Sequence, residues 1–265
     1  MTMARLSVQS YNLRHAVLDS GVDAWPNRRE AVRSVLRSTA PDLLGVQECT
    51  GDQHDDVAAD LPAYDWIGVA DQPGSGEHNP IGYTDRFRLR STESEWLSET
   101  PATPGSVGWD GSFARVLTRA TLVDTATGTT LTTFNAHFDH EGPEARRESA
   151  RTIRQRIDEL PAGRPAIVTG DFNCGPGSDP YGVLTGDAFD RRLSDARDRA
   201  DDTTGPDSTL TDFERVEPDR RIDHVFVTGD VDVHSHRVVT DRGDRDRDRF
   251  PSDHLPVLVV LEVGG

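Results

Sequence analysis

The feature that most constrains the fold is a succession of short apolar runs of strand length, with only two stretches of helical periodicity among them. Near the N-terminus Leu6 and Val8 alternate with Ser7 and Gln9 and lead into Ser10, Tyr11 and Asn12, the pattern of a half-buried strand ending on a polar residue. Leu43, Leu44, Gly45 and Val46 make a buried-strand run that ends at Gln47 and Glu48. Further strand-like runs cover residues 66–69, 81–83, 114–123, 130–137, 166–170, 222–227, 231–239 and 255–261. One helix pattern follows Trp25 and Pro26, with Ala31, Val32, Val35 and Leu36 on one face before Pro41. The other covers residues 143–160, where Ala150, Ile153, Ile157 and Leu160 recur at helical spacing before Pro161. Many strands, a hairpin-like turn at residues 125–128 and few long helices predict an α/β (α+β) fold of mixed sheets covered by helices, not a strict β-α-β alternation. Residues 198–207 and the alternating Asp/Arg run 241–249 read as solvated loops.

At 265 residues one large domain is the default, and although hydrophobic residues are only 34% of the chain, their grouping into runs supplies a core. All 29 basic residues are arginine, against 46 acidic ones, for a net charge of -17. Such self-repulsion is tolerable where concentrated salt shortens the Debye length to about 3 Å, which points to an extreme halophile's cytoplasm. Under that screening the acidity does not decide between nucleic acid and small substrates. The two cysteines, Cys49 and Cys174, are too few for a disulfide scaffold and lack zinc-ribbon spacing. Residues 1–8 hold no signal-peptide core and no later stretch approaches a membrane span, so a soluble, cytoplasmic protein without a membrane partner is expected.

The chemistry gathers where strands begin and end: Asn12, Glu48, His137, Asp171 with Asn173, Asp223, and Asp253 with His254. Singly, each is an ordinary turn residue. Together they suit Mg²⁺, which takes oxygen ligands and is usually held by one or two carboxylates plus substrate phosphate; Glu48, with Asn12 and Asp253, is a sufficient cradle. Asp171 and Asn173, two apart, share one face and aim a base and an amide donor into one site. Two Asp-His doublets, Asp223-His224 and Asp253-His254, add imidazoles that a carboxylate can orient toward a phosphate oxygen.

The ordered motifs Ser10-Tyr11-Asn12-Leu13-Arg14, Gly45-Val46-Gln47-Glu48, Asn135-Ala136-His137-Phe138, Gly170-Asp171-Phe172-Asn173, Arg221-Ile222-Asp223-His224 and Ser252-Asp253-His254-Leu255-Pro256-Val257 resemble those of the endonuclease/exonuclease/phosphatase superfamily. The resemblance implies a four-layered α/β sandwich, two mixed sheets face to face with helices outside, in a single domain over residues 4–262. It also implies a metal-dependent hydrolase of phosphate esters. In it Glu48 and Asn12 stand on the metal side, Asp171 orients or deprotonates the attacking water, and Asn173 holds the phosphate. His137 and His254 contact the phosphate, Asp223 orients His254, and Asp253 is a further metal-side carboxylate. The third motif departs from the family pattern at Ala136 and Phe138, which affects packing more than chemistry. Glu77, Trp96, Trp109 and Arg115 fall in segments similar to a bacterial branch of the superfamily and are candidate substrate-side residues; the competing reading makes the tryptophans core and Arg115 an ion-pair former.

The cofactor expected is Mg²⁺, with Mn²⁺ as the alternative, and the protein is expected to be a monomer. A second transition-metal site from His137 and His140, or from Asp232, His234 and His236, is the rival metal reading; alternation makes the latter three a solvent face beside Val231 and Val233. Phosphodiesterase or nuclease is the favoured activity, with a phosphomonoesterase on a sugar or inositol phosphate as the alternative. No basic groove marks a nucleic-acid partner: Arg146, Arg147, Arg151, Arg154 and Arg156 read as the solvated face of one helix. A silent binding module of the same fold is the reading from another class, and the joint presence of Asp171, Asn173, Asp223 and His254 counts against it.

Overall fold

The computed structural model describes residues 5–72, 76–243 and 248–264. In chain order its elements are β1 (Arg5–Asn12), α1 (Trp25–Thr39), β2 (Leu43–Gln47), α2 (Gly51–Asp60), β3 (Tyr64–Ile67), β4 (Ile81–Thr84), β5 (Phe87–Trp96), β6 (Val116–Asp124) and β7 (Thr130–His137). There follow α3 (Pro143–Asp158), β8 (Ala166–Asp171), α4 (Asp179–Thr185), β9 (Leu193–Asp195), α5 (Ala196–Arg199), β10 (Asp202–Thr204), β11 (Asp223–Thr228), β12 (Val231–Val238) and β13 (Val257–Val263). A seven-stranded sheet has the order β10-β12-β13-β1-β2-β4-β3, and a six-stranded one β5-β6-β7-β8-β11-β9. Both are mixed: β1 runs parallel to β2 and antiparallel to β13, while β7 runs parallel to β8 and β8 antiparallel to β11.

Strand periodicity explains the layering, since successive side chains point to opposite faces. Leu6 and Val8 of β1 meet Leu131 of β7, Ile167 of β8 and Val225 of β11 in a core between the sheets. On the outer face of the six-stranded sheet, Phe134, Val168 and Phe226 pack under Ala150, Ile153 and Ile157 of α3. On the outer face of the other, Tyr11, Leu44 and Val46 pack under Val32, Val35 and Leu36 of α1. The result is the four-layered α/β sandwich, and among the described residues no helix is long and apolar enough to cross a membrane.

Several expectations change. The run at 66–69 is a strand at Tyr64–Ile67, and the expected loop 198–207 contains the short strand β10, paired with β12. Strand β5 gives no apolar alternation because it is a sheet edge paired only to β6, with Arg88 and residues 90–93 at the surface. Helix α2 carries little apolar surface; its signal is the capping box of Thr50 and Gln53. Arg154 is not on a solvated face: it is buried, with Nη1 and Nη2 donating to the carbonyls of Leu184 and Arg191. Asp232, His234 and His236 do not share a face, because the β12 register shifts between Val233 and Ser235 and turns His236 inward. Within the run 241–249, residues 244–247 lie outside the described residues, and Arg249 pairs with Asp23 and Glu214. Cys49 and Cys174 are both buried and free.

Candidate active site at the open end of the sandwich

Parity and register assemble the site. Asn12 has the parity of Leu6 and Val8, Asp171 that of Ile167, His137 that of Leu131, and Asp223 that of Val225, so all four emerge from the layer between the sheets. His137 stands opposite Asp171 in the parallel β7–β8 pair, and Asp171 opposite Asp223 in the antiparallel β8–β11 pair. Across the layer Asn12 is opposite Gln47, one residue before Glu48. A polar floor bolts the sheets together beneath: Asn135 Nδ2 donates to the carbonyls of Val46 (2.8 Å) and Pro80 (3.0 Å), and Gln47 Nε2 to Asn135 Oδ1 (2.7 Å). Gly45 permits this approach, since a Cβ there would lie 2.1 Å from Thr169 Oγ1.

Strained backbone also occurs at this end. Arg14 (φ 60°), Glu48 (φ 56°) and Asn173 (φ 47°) are left-handed non-glycine residues, a conformation that costs about 1 kcal/mol or more each and persists only where surroundings impose it. Local bonds do so here. Arg14 N–H donates to Asn12 Oδ1 and Asn173 N–H to Asp171 Oδ1, both at 2.9 Å.

Two carboxylates are drawn together by one amide: Asn12 Nδ2 donates to Glu48 Oε1 and to Asp171 Oδ2, each at 2.9 Å. The His15 N–H holds the other oxygen of Glu48 at 2.9 Å. Asp171 Oδ2 faces His137 Nε2 at 3.6 Å and His254 Nε2 at 3.7 Å, beyond hydrogen-bond reach, so both imidazoles keep that N–H free for another acceptor. His254 Nδ1 is fixed by Asp223 Oδ2 at 2.8 Å. Burial alone would lower the pKa of His254, but the carboxylates of Asp223 and Asp171 raise it well above the usual histidine value. Burial would likewise raise Asp171, yet His254 and His137, with the Asn173 N–H and the Asn12 amide, hold it below the carboxylate range. The site thus sets a carboxylate between two imidazole rings, that of His254 favoured in its charged form, aimed at an anion that needs both a base and hydrogen-bond donors.

His137 is supported from behind, where its Nδ1 lies 2.8 Å from Arg115 Nη1 and 3.0 Å from Glu77 Oε2. Arg115 and Glu77 are themselves 2.8 Å apart, so of the four substrate-side candidates these two reach the site. Trp96 does not: it is buried, and its Nε1 donates to the carbonyl of Asp71, whose Oδ1 in turn accepts the Glu77 N–H. Trp109 has its backbone N–H on the Glu99 carboxylate and, among the described residues, no hydrogen bond to those of the site. Asp253 stands beside the cluster, tied to Arg14 Nη1 at 3.2 Å. Asn173 Nδ2 donates to the Phe138 carbonyl, leaving its second amide proton free.

Ligand atoms of Glu48, His137 and Asp171 lie within 4.8 Å of one another, as do those of Asp171, Asp223 and His254. Two carboxylates on one side, with waters and substrate oxygens completing the shell, fit a hard divalent cation better than a thiophilic or all-imidazole one. Among the described residues, neither His140 nor the set Asp232, His234 and His236 forms such a group.

Sequence reasoning missed Arg28 and Asp195. Buried Arg28 donates to the carbonyls of Leu13 (2.8 Å), Arg14 (3.0 Å) and Pro251 (2.7 Å), clamping the loop after β1 to the segment before His254. Its signal was its place on the apolar face of α1, three residues after Trp25 and four before Val32. Asp195 binds His224 Nδ1 at 2.9 Å in a second buried pair.

The chain matches the Endonuclease/Exonuclease/phosphatase family over residues 10–254. It is 34% identical to an endonuclease/exonuclease/phosphatase family protein from Bacteroides thetaiotaomicron, whose structure superposes with a TM-score of 0.92 over 100% of both chains. It is 36% identical to a mannosyl-6-phosphatase of Bacteroides thetaiotaomicron VPI-5482, with a TM-score of 0.89 over 97% of this chain and 99% of that one. At 18% identity, D. rerio TDP2 complexed with single-strand DNA product shares the fold, with a TM-score of 0.75 over 97% of this chain and 99% of that one.

Proposed function

Because the chain belongs to the endonuclease/exonuclease/phosphatase family, whose members are phosphoesterase hydrolases, we propose that it hydrolyses a phosphate monoester carried by a sugar. The observation that carries this reading is the 36% identity, along nearly both whole chains, with a mannosyl-6-phosphatase. The rim agrees with a substrate bearing one phosphate. The arginines Arg14 and Arg115 at the site are already engaged, Arg14 with Asp19 and Asp253 and Arg115 with Glu77, so among these described residues no free pair of cations is left for a polyanion.

In this reading Glu48, with Asp171 beside it, would hold Mg²⁺ or Mn²⁺. Such a cation supplies charge neutralisation on the phosphate dianion and polarisation of a P–O bond. Asp171 orients the attacking water and accepts its proton as the water oxygen bonds to phosphorus, while the bond to the sugar oxygen breaks on the opposite side and that oxygen leaves as an alcohol with a proton from solvent. Asn12 keeps Asp171 and Glu48 in register, and Asp223 keeps His254 protonated and turned inward. The free N–H groups of His137, His254 and Asn173 meet the charge that builds on the phosphoryl oxygens.

A second reading, phosphodiester cleavage, is favoured by a cleft of about 490 Å³ that borders Asn173 and is lined by Arg146 and Arg147, room for a second ester arm. Phosphate release from mannose 6-phosphate, compared with cleavage of bis(p-nitrophenyl) phosphate in Mg²⁺, in Mn²⁺ and with chelator, separates the two. Metal-dependent preference for the monoester by about 100-fold or more in kcat/KM is expected. Preference for the diester overturns the monoesterase reading.

A further inference from the structure

We propose that the stacked side chains of Phe113 and His140 form a platform for the sugar ring of the substrate while its phosphate occupies the Asp171 site. This rests on the monoesterase reading above and adds to it the residues that would recognise the ring.

Phe113 is 47% exposed, and its ring lies on that of His140 with centroids 5.4 Å apart and planes inclined by 25°. A single exposed aromatic is unremarkable by itself. What distinguishes this one is how firmly it is held. The buried carboxylate of Asp139 accepts four backbone N–H groups: Ser112 (2.9 Å) and Phe113 (3.0 Å) on Oδ2, Glu141 (2.9 Å) and Gly142 (2.7 Å) on Oδ1. One side chain therefore pins both loops that present the stacked pair. Ser112 Oγ adds a bond to Glu141 Oε2 at 2.5 Å.

The platform is also joined to the chemistry. The Arg115 guanidinium carbon lies 5.7 Å from the Phe113 ring centroid, its Nη2 3.5 Å from His140 Nδ1 and its Nη1 2.8 Å from His137 Nδ1. The aromatic face is thus joined through one arginine to a histidine that faces Asp171. A preorganised ring face offers contact area to the C–H face of a sugar at little entropic cost, and Glu77, beside Arg115, offers an acceptor to a hydroxyl.

The test compares kcat/KM for mannose 6-phosphate with that for glycerol 3-phosphate, a phosphate monoester without a ring, in wild type, Phe113→Ala and Phe113→Tyr. Phe113→Ala should lower the ratio of the two by about tenfold, mainly through KM for the hexose ester, and Phe113→Tyr should restore it. Thermal midpoints check that the variants fold. An unchanged ratio in Phe113→Ala, with wild-type hydrolysis of mannose 6-phosphate intact, overturns the platform and leaves the monoesterase reading standing. A wild type that cleaves bis(p-nitrophenyl) phosphate but not mannose 6-phosphate overturns both.

Discussion

Two buried Asp–His pairs lie on opposite faces of the six-stranded sheet, and they are nearly identical up to the second ring nitrogen. Asp223 Oδ2 meets His254 Nδ1 at 2.8 Å, and Asp195 Oδ2 meets His224 Nδ1 at 2.9 Å. His254 Nε2 then faces the Asp171 carboxylate across 3.7 Å, whereas His224 Nε2 ends on the carbonyl of Cys174 at 3.1 Å. The first pair keeps a proton to offer; the second closes on the backbone and ties β11 and β9 to the segment just after Asn173. An Asp–His pair is therefore read as chemistry or as structure from what its far nitrogen touches, not from the pair itself.

The strongest way to break this contrast is at the carboxylate that distinguishes the two. Asp171→Asn should lower kcat by about 1000-fold or more, since the amide can neither take a proton nor offset the charge of His254, while the fold survives. Turnover near that of wild type, measured beside circular-dichroism melting, removes Asp171 from the chemistry. Next comes Asp223→Asn, expected to lower kcat by about 100-fold through loss of the protonated, inward-turned His254. Asp195→Asn is the matched control at the other pair. It should change kcat by less than about tenfold but destabilise the fold by about 3 kcal/mol, because His224 and Arg221 lose a buried partner. Equal losses of turnover in the two variants would erase the distinction.

The same pairs show what the sequence made legible. Both Asp-His doublets, Asp223-His224 and Asp253-His254, are visible in the chain, yet neither pairs internally: neighbours on a strand point to opposite faces, so Asp223 enters the site and His224 goes to the helix side. The cross-pairing of Asp223 with His254 was available only from the family resemblance. Strand positions followed from apolar runs at long buried strands, as at β1, β2, β7 and β8, whereas the four layers were available only from the family resemblance; the runs failed at β5 and β10, where an exposed edge leaves no periodic trace, and at β9, which is buried but only three residues long. Of the buried arginines, Arg28 was missed and Arg154 misread for a related reason. Charge suggests solvent, while the carbonyls that satisfy Arg28 and Arg154 come from distant loops that no local window contains. The Asp139 clamp escaped because its partners are backbone N–H groups, which carry no residue signature.

A smaller effect, on stability alone, probes the region behind Asp195. His236 is only 2% exposed, its Nδ1 has no partner, and burial, opposed by Asp195 but reinforced by Arg197, Arg221 and His224, pushes its pKa from 6.5 down to about 4. Folding therefore holds this imidazole neutral. Below pH 6.5 the unfolded chain takes up a proton that the folded chain refuses until about pH 4, so stability is complete above the higher value and falls with pH through that window. The difference corresponds to about 3 kcal/mol. His236→Phe keeps the ring, removes the proton site and should flatten that limb of the profile while remaining at least as stable as wild type at pH 7.5. Urea unfolding at half-unit steps from pH 7.5 to 4 measures it. If the slope is the same in both proteins, the acid sensitivity lies elsewhere and His236 does not titrate with folding.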